Sequence, residues 1–406
     1  MAVLEKQNLL KHTDWANLPK NIIDSIIEKS VPPLSQFIRF GSVCKAWHAA
    51  ITENRSLRSK ILKRCHHQVP FLMVTKSQEK RGLYNIIEKK LHGVELSVPY
   101  KRRCCGSSYG WIATVDWTLA IKLINPFTGG IIDLPSVDIP VVNKFTTEDE
   151  HEFYVKKVIL SDDPYVNPDN FMVLALFGAS SSIAIIRPGE KTWTYTSNLE
   201  TTAKDDAIFH KGKFYAVDFR LGIISVQVTN MNGSLVSAFD EKIIIPPEEE
   251  GDNAFKYIVE SSDGELLIVQ RFISTYGPYR WTTNFKVLKL RQHTNHVARL
   301  VEVRNIGDDA LFLGDNCSMS VAASRFPECR PNSIYFTDDT ILYTLEGSID
   351  MGILVWKQVV FNHLMIWIPL IQICLLPFLF YLHWSKIESH IHVNTRYSMG
   401  TGSFHQ

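Results

Sequence analysis

Two kinds of residue cluster in this chain could do chemistry. Gly106-Ser107-Ser108-Tyr109-Gly110 fits G-x-S-x-G, the sharp turn that presents a serine nucleophile in hydrolases. Cys65-His66-His67 and the pair Cys104-Cys105 carry side chains of the metal-ligating type. Each cluster makes demands on its surroundings. The nucleophile turn needs a strand that ends at the first glycine and a helix that starts after the last. Upstream stand Lys101, Arg102, Arg103, Cys104 and Cys105, which do not read as a buried strand ending at Gly106. Downstream Trp111-Ile112-Ala113-Thr114-Val115-Asp116 is β-branched and aromatic, and reads as a strand. Turn then strand is the reverse of the catalytic order, so no catalytic residue is expected. A hydrolase-like or ligand-binding use of the Gly106–Gly110 turn is the alternative reading. Adjacent Cys and His do not have zinc-site spacing, so no metal is expected.

Other chemistry-bearing patterns are missing from the sequence. There is no phosphate loop, no H-E-x-x-H and no dinucleotide fingerprint, and no cofactor is expected. Glu248-Glu249-Glu250 follows Pro246-Pro247 and reads as a solvated acidic loop. Asp162-Asp163 and Asp338-Asp339 suit turns, where Asp bonds nearby backbone.

Composition bounds the class of protein. The chain has 406 residues, of which 45% are hydrophobic, enough for a small module and a large second domain. The net charge of +1 gives no general field for nucleic acid, and none is expected as a partner. Seven cysteines without C-x-x-C read as reduced thiols of a cytosolic or nuclear protein. The N-terminus has no apolar run of the secretory type.

The elements that would position any site fall into two textures. From Asp14 the texture is helical. Asn17 is a candidate cap, with Pro19 in the first turn, and Ile22, Ile23, Ile26 and Ile27 recur at helical spacing. Val31-Pro32-Pro33 ends that helix. Leu34, Phe37 and Ile38 form a second short stripe, and Ser42 is a candidate cap for a third helix carrying Val43, Trp47, Ala50 and Ile51. Three short helices make a weak core alone, which leaves a helical cap on the next domain or a docking module completed by a partner.

The stretch Leu18 to Ile51 resembles an F-box. Leu18, Pro19, Ile22, Ile23, Ile26 and Ile27 match its first part, and Arg39, Val43, Cys44, Lys45 and Trp47 its last. The resemblance implies that residues 14–60 dock, through Leu18, Pro19, the four isoleucines, Val43, Cys44, Lys45 and Trp47, to the Skp-type adaptor of a cullin-RING ubiquitin ligase. In that setting the chain is a non-catalytic receptor subunit, and its further partner is a protein substrate.

From about Val69 the texture turns to β. Short apolar runs alternate with turn signals, among them Phe71–Val74, Trp111–Val115, Ile121–Ile124, Phe171–Phe177, Ile183–Ile186, Phe214–Val217, Ile223–Val228, Leu266–Val269, Phe285–Leu290 and Ser333–Phe336. His210-Lys211-Gly212-Lys213 and Ser262-Asp263-Gly264 read as hairpin turns. Comparable features recur every roughly forty to sixty residues, as propeller blades do, with an irregular sandwich as the alternative. The whole chain thus reads as an α+β multidomain protein: a small three-helix F-box, then a large all-β, propeller-like domain. "GSSYGWIATVD", "INPFTGGIIDLP", "AIFHKGKFYAVD" and "NSIYFTDD" resemble the plant domain of unknown function 295, which often follows an F-box in a kelch-like plant family. The resemblance covers residues 69–350. It implies that Gly106, Ser107, Ser108, Gly110, Trp111, Asn125 and Pro126 are structural.

The tail departs from that pattern. Leu364 to Leu382 has Gln372 as its single strongly polar side chain, with Trp367, Tyr381 and Trp384 towards its ends. Its length reaches the lower range for a membrane-spanning helix. Such a span would place the F-box in the cytosol and the polar tail 383–406 across the membrane. Other readings are a buried closing strand of the propeller, or a stretch foreign to the fold. The expected location is therefore cytoplasm or nucleus, or a membrane facing the cytosol.

Overall fold

The computed structural model describes residues 15–30 and 43–54, and then, with short internal gaps, 71–137, 154–195, 203–243, 254–337, 350–363 and 374–376. A 3-10 turn, Trp15–Asn17, precedes helix α1, Lys20–Ser30, and helix α2 spans Lys45–Glu53. The Pro19 carbonyl accepts from the N–H of Ile22 (2.9 Å) and Ile23 (3.1 Å). Pro19 therefore stands just before the helix, not inside its first turn. Cys44, in extended conformation, precedes α2, so Val43 lies outside that helix and Ser42 is not its cap. Residues 34–40, read as the middle helix, lie outside the described residues.

The rest is β, in six sheets among the described residues. The first holds β1 (Phe71–Ser77), β2 (Lys80–Asn85) and β3 (Lys90–His92). The second is β4 (Arg103–Ser108), β5 (Trp111–Val115), β6 (Ile121–Ile124) and β7 (Ile131–Leu134). The third is β8 (Val155–Leu160), β9 (Val173–Phe177), β10 (Ser182–Ile186) and β11 (Thr194–Tyr195). The fourth is β12 (Lys204–His210), β13 (Lys213–Asp218), β14 (Ile223–Met231) and β15 (Ser234–Ile243). The fifth is β16 (Ala254–Glu260), β17 (Leu266–Tyr276), β18 (Tyr279–Thr294) and β19 (Val297–Val303). The sixth runs β21-β20-β22-β23-β24, from β20 (Asp309–Leu313), β21 (Met319–Ala322), β22 (Ser333–Phe336), β23 (Gly352–Val355) and β24 (Gln358–His363). Sheets two to five are antiparallel meanders, and in the sixth β20 and β22 run parallel.

Sheet stacks on sheet like blades around an axis. The inner strands β4, β8, β12, β16 and β21 touch in that order. The apolar cores are the seams between blades. Trp111, Ala113, Val115 and Leu123 pack on Val155, Val158, Val173 and Ala175. Leu174, Leu176 and Ile185 pack on Phe214, Ala216 and Val226, and Val217 and Ile223 on Ile258 and Ile268. Tyr257, Val259 and Phe285 meet Leu311, Ile334 and Phe336. A middle strand is covered on both sides, so β5 and β9 are buried at every residue. That is why they read as continuous apolar runs and not as alternation.

The ring closes with the tail. β25, Cys374–Leu376, pairs antiparallel with β1 and touches β4, which makes it the inner strand of the first sheet. It lies inside the apolar stretch 364–382. No helix among the described residues is long and apolar enough to cross a membrane. The membrane-helix reading fails at 374–376, where the backbone pairs with a sheet edge; the other residues of 364–382 lie outside the described residues. The sixth sheet also continues past residue 350, through β23 and β24.

Candidate functional site

In the helical module the four isoleucines divide. Ile23 and Ile27 are buried, as are Trp47 and Ala50 on α2. Ile26 and Leu18 are half-buried, and Pro19 and Lys45 are exposed. Ile22 is 43% exposed and Val43 52%. Trp15, absent from the sequence reading, is 56% exposed, and its carbonyl accepts from Trp47 Nε1 at 2.7 Å. Half of the apolar stripe thus makes a small core, and Ile22, Val43 and Trp15 remain outside it. Cys44 is half-buried; its thiol lies 4.0 Å from the Ala16 carbonyl.

The G-x-S-x-G pattern is a strand and a turn at a blade seam. β4 runs through Gly106 to Ser108, so Gly106, expected in a turn, lies in a strand. A Cβ on Gly106 would sit 2.0 Å from the Val158 carbonyl oxygen of the next sheet, so glycine is required by close approach. The turn is Tyr109-Gly110, with φ of 53° and 79°. It leads into β5, and no helix follows. Ser108 Oγ accepts from the Leu160 N–H at 3.4 Å, Tyr109 donates to the Ser161 carbonyl, and Trp111 Nε1 donates to Asp163 Oδ1 at 2.9 Å. Asp163 also accepts from the Tyr165 N–H. Ser107 is buried in β4. Asn125, buried, and Pro126 form the β6–β7 turn, where Asn125 N–H donates to the Gly130 carbonyl at 2.8 Å. The motif is a clamp between blades two and three. Burial pushes the Cys105 thiol up to about 12 and the Cys317 thiol up to about 11, so both stay protonated. No metal-type cluster of three occurs among the described residues, and Cys65-His66-His67, Glu248–Glu250 and Asp338-Asp339 lie outside them.

The other end of the blades carries charge, of which the sequence singles out the run Lys101-Arg102-Arg103, expected as a solvated loop; Arg102 and Arg103 are instead buried and ion-paired. Each of β4, β8, β12 and β16 has Lys or Arg within its first three residues. Arg103 donates to the Val155 carbonyl at 2.6 Å and pairs with Asp315 at 3.0 Å. Lys157 and Asp206 form a buried ion pair, and Asp206 Oδ2 accepts from the Ile258 N–H at 3.0 Å. Burial opposes the charge on Lys157, but Asp206 outweighs it and holds the ammonium above its ordinary range. Lys156 donates to the Lys204 carbonyl at 2.8 Å, beside Asp205. The available signal was the recurrence of a basic residue at the start of successive inner strands.

These features define a β-propeller whose blade seams are pinned by polar side chains, preceded by a short helical module with apolar residues left outside. The chain belongs to the KIB1-4 beta-propeller family, whose model matches residues 83–361. The domain 295 and kelch-like labels suggested by the motifs are not confirmed by that match. Curated relatives are F-box proteins of Arabidopsis thaliana. F-box protein At2g17036 is 25% identical, covering 78% of this chain and 81% of its own. F-box protein SKIP23 is 23% identical, over 80% of this chain and 84% of its own. Among solved structures, the N-terminal domain of Nup159 aligns at 10% identity with a TM-score of 0.33, over 70% of this chain and 68% of that one.

Proposed function

We propose that this chain is the substrate-recognition subunit of an SCF-type cullin-RING ubiquitin ligase. Residues 14–60 dock to the Skp-type adaptor, and through it to cullin, and the propeller holds a protein for ubiquitin transfer. The chain is then a receptor, not an enzyme, and works in cytoplasm or nucleus. The observation that carries this reading is the division of the helical module: Ile23, Ile27 and Trp47 inside, and Ile22, Val43 and Trp15 outside. A module this small gains from burying those side chains against a partner. The F-box names of its relatives support the same reading. The test is co-elution of the full chain with purified Skp-type adaptor and cullin. A ternary complex is expected. Failure of the folded chain to join the adaptor would overturn the reading.

A further inference from the structure

Blade six is threaded differently from its neighbours. In sheets two to five the inner strand comes first in the chain, as β4, β8, β12 and β16. In the sixth, β20 comes first but takes the second place, and β21 returns to the inner one. The link between them, Gly314-Asp315-Asn316-Cys317-Ser318, therefore turns beside the axis, at the end where the inner strands begin. A short link between paired strands belongs at the surface, where water satisfies its backbone and polar side chains. The turns Tyr109-Gly110 and Lys211-Gly212 conform, and neither holds a buried residue. The link in blade six is different. Gly314 is buried, Asn316 is 4% exposed and Ser318 9%.

Its partners stand on other blades. Asp315 pairs with Arg103 of blade two at 3.0 Å, and Arg103 also donates to the Val155 carbonyl of blade three at 2.6 Å. Cys317 faces blades three and four: burial raises its thiol most, and the charges of Lys157 and Asp206 act on it as well. Lys157, opposed by burial and held by Asp206, is supported by Asp315 too. Both ends of the link are tied. The Leu313 carbonyl accepts from the N–H of Thr337, just past β22, at 3.1 Å. Ser320 Oγ, on β21, donates to the Glu260 carbonyl of blade five at 2.6 Å. Blades two, three, four and six thus meet at one short loop, and the strand that leaves it is tied to blade five.

We infer that Gly314–Ser318 is an axial strap, which closes the ring a second time and in parallel with the β1–β25 pairing. Among the described residues, that pairing covers three positions, Cys374 to Leu376. A strand pair this short opens by local fluctuation more readily than a packed core does. With one closure, opening there would free the ends of the ring and lead on to general unfolding. With the strap, blades two to six stay joined while the first sheet opens and recloses. The device gives the chain a partly open state that is distinct from the unfolded one.

The experiment is native-state hydrogen exchange on the full chain, with Asp315→Ala beside the parent. In the parent, amides of β1 and β25 should exchange through an opening that leaves β4, β8 and β12 protected. In Asp315→Ala, protection of β4 and β21 should fall about tenfold, towards that of β1. A denaturation cycle gives the second reading, from Asp315→Ala, the chain ending at Asn362, and the two changes combined. Closures in parallel predict a combined loss about tenfold larger, in the unfolding constant, than the product of the separate ones. The exchange readings decide the matter even where the shortened chain fails to fold. Exchange of β1 and β25 only together with β4 in the parent would overturn the strap. So would unchanged protection of β4 and β21 in Asp315→Ala, or simple additivity in the cycle.

Discussion

Arg103 and Asp315 are 212 residues apart in sequence, yet Nη2 and Oδ2 stand 3.0 Å from one another. Arg103 heads the inner strand of blade two, and Asp315 lies in the loop that leads to the inner strand of blade six. The pair ties the first half of the ring to the last. Asp315→Ala should lower unfolding free energy by about 2 kcal/mol, because a buried guanidinium loses a charged acceptor. Chemical denaturation reads this. Stability equal to the parent would show that the contact does not hold the ring.

A second ion pair tests the seam between blades three and four. Lys157→Met leaves Asp206 charged and buried, which costs about 3–5 kcal/mol. A Lys157→Met, Asp206→Asn double variant should lose less than the sum of the single losses. Additive losses in denaturant would mean that the two groups are not coupled.

The G-x-S-x-G stretch gives a contrast within one strand. Gly106→Ala forces Val158 away and should cost about 3 kcal/mol or more. Ser108→Ala removes one long hydrogen bond and should cost about 1 kcal/mol or less. A mild Gly106→Ala and a severe Ser108→Ala would reverse the structural account. Detectable ester hydrolysis that disappears in Ser108→Ala would revive the alternative chemistry.

The Asp116 turn predicts an acid-range effect. Partial burial alone would raise the Asp116 pKa, but Thr118, Arg102 and the Ala120 N–H stabilise its charged form and bring it below the ordinary carboxylate value. A depressed folded pKa adds stability that is present above the unfolded value and is lost as pH falls through the folded one. Asp116→Asn should therefore melt lower than the parent near neutral pH, and the gap should narrow at acid pH. A gap that widens on acidification would contradict this.

The tail carries a further prediction. β25 belongs to the first sheet, so a chain ending at Asn362 should leave an inner edge of β1 unpaired and melt at a lower temperature. Identical melting of the truncated and full chains would refute closure by this segment.

The sequence showed the middle strands better than the inner ones. β5, β6, β9, β10, β13 and β14 are apolar runs, so residue type alone marked them. β4, by contrast, starts Arg-Cys-Cys-Gly and was read as a turn. Its residues serve neighbours distant in sequence: Arg103 a carbonyl on β8, Gly106 the Val158 oxygen. Such partners are invisible before the sheets are placed. For the same reason four isoleucines at helical spacing could not be divided into core and surface until α2 was set against α1. Within the apolar stretch 364–382, residues 374–376 pair as a strand, and the sequence left this open because a strand in a closed ring and a membrane helix ask for similar residues.

The central claim is that the helical module is an adaptor-docking surface. The direct test is calorimetric titration of the full chain with purified Skp-type adaptor, beside an Ile22→Asp, Val43→Asp variant. Charges placed in an apolar interface should cost several kcal/mol, so the account predicts saturable binding by the parent and none by the variant. A Trp117→Ala, Phe219→Ala variant, changed at exposed residues of the propeller, should bind as the parent does. Equal binding by the Ile22→Asp, Val43→Asp variant, or no binding by the folded parent, would contradict it.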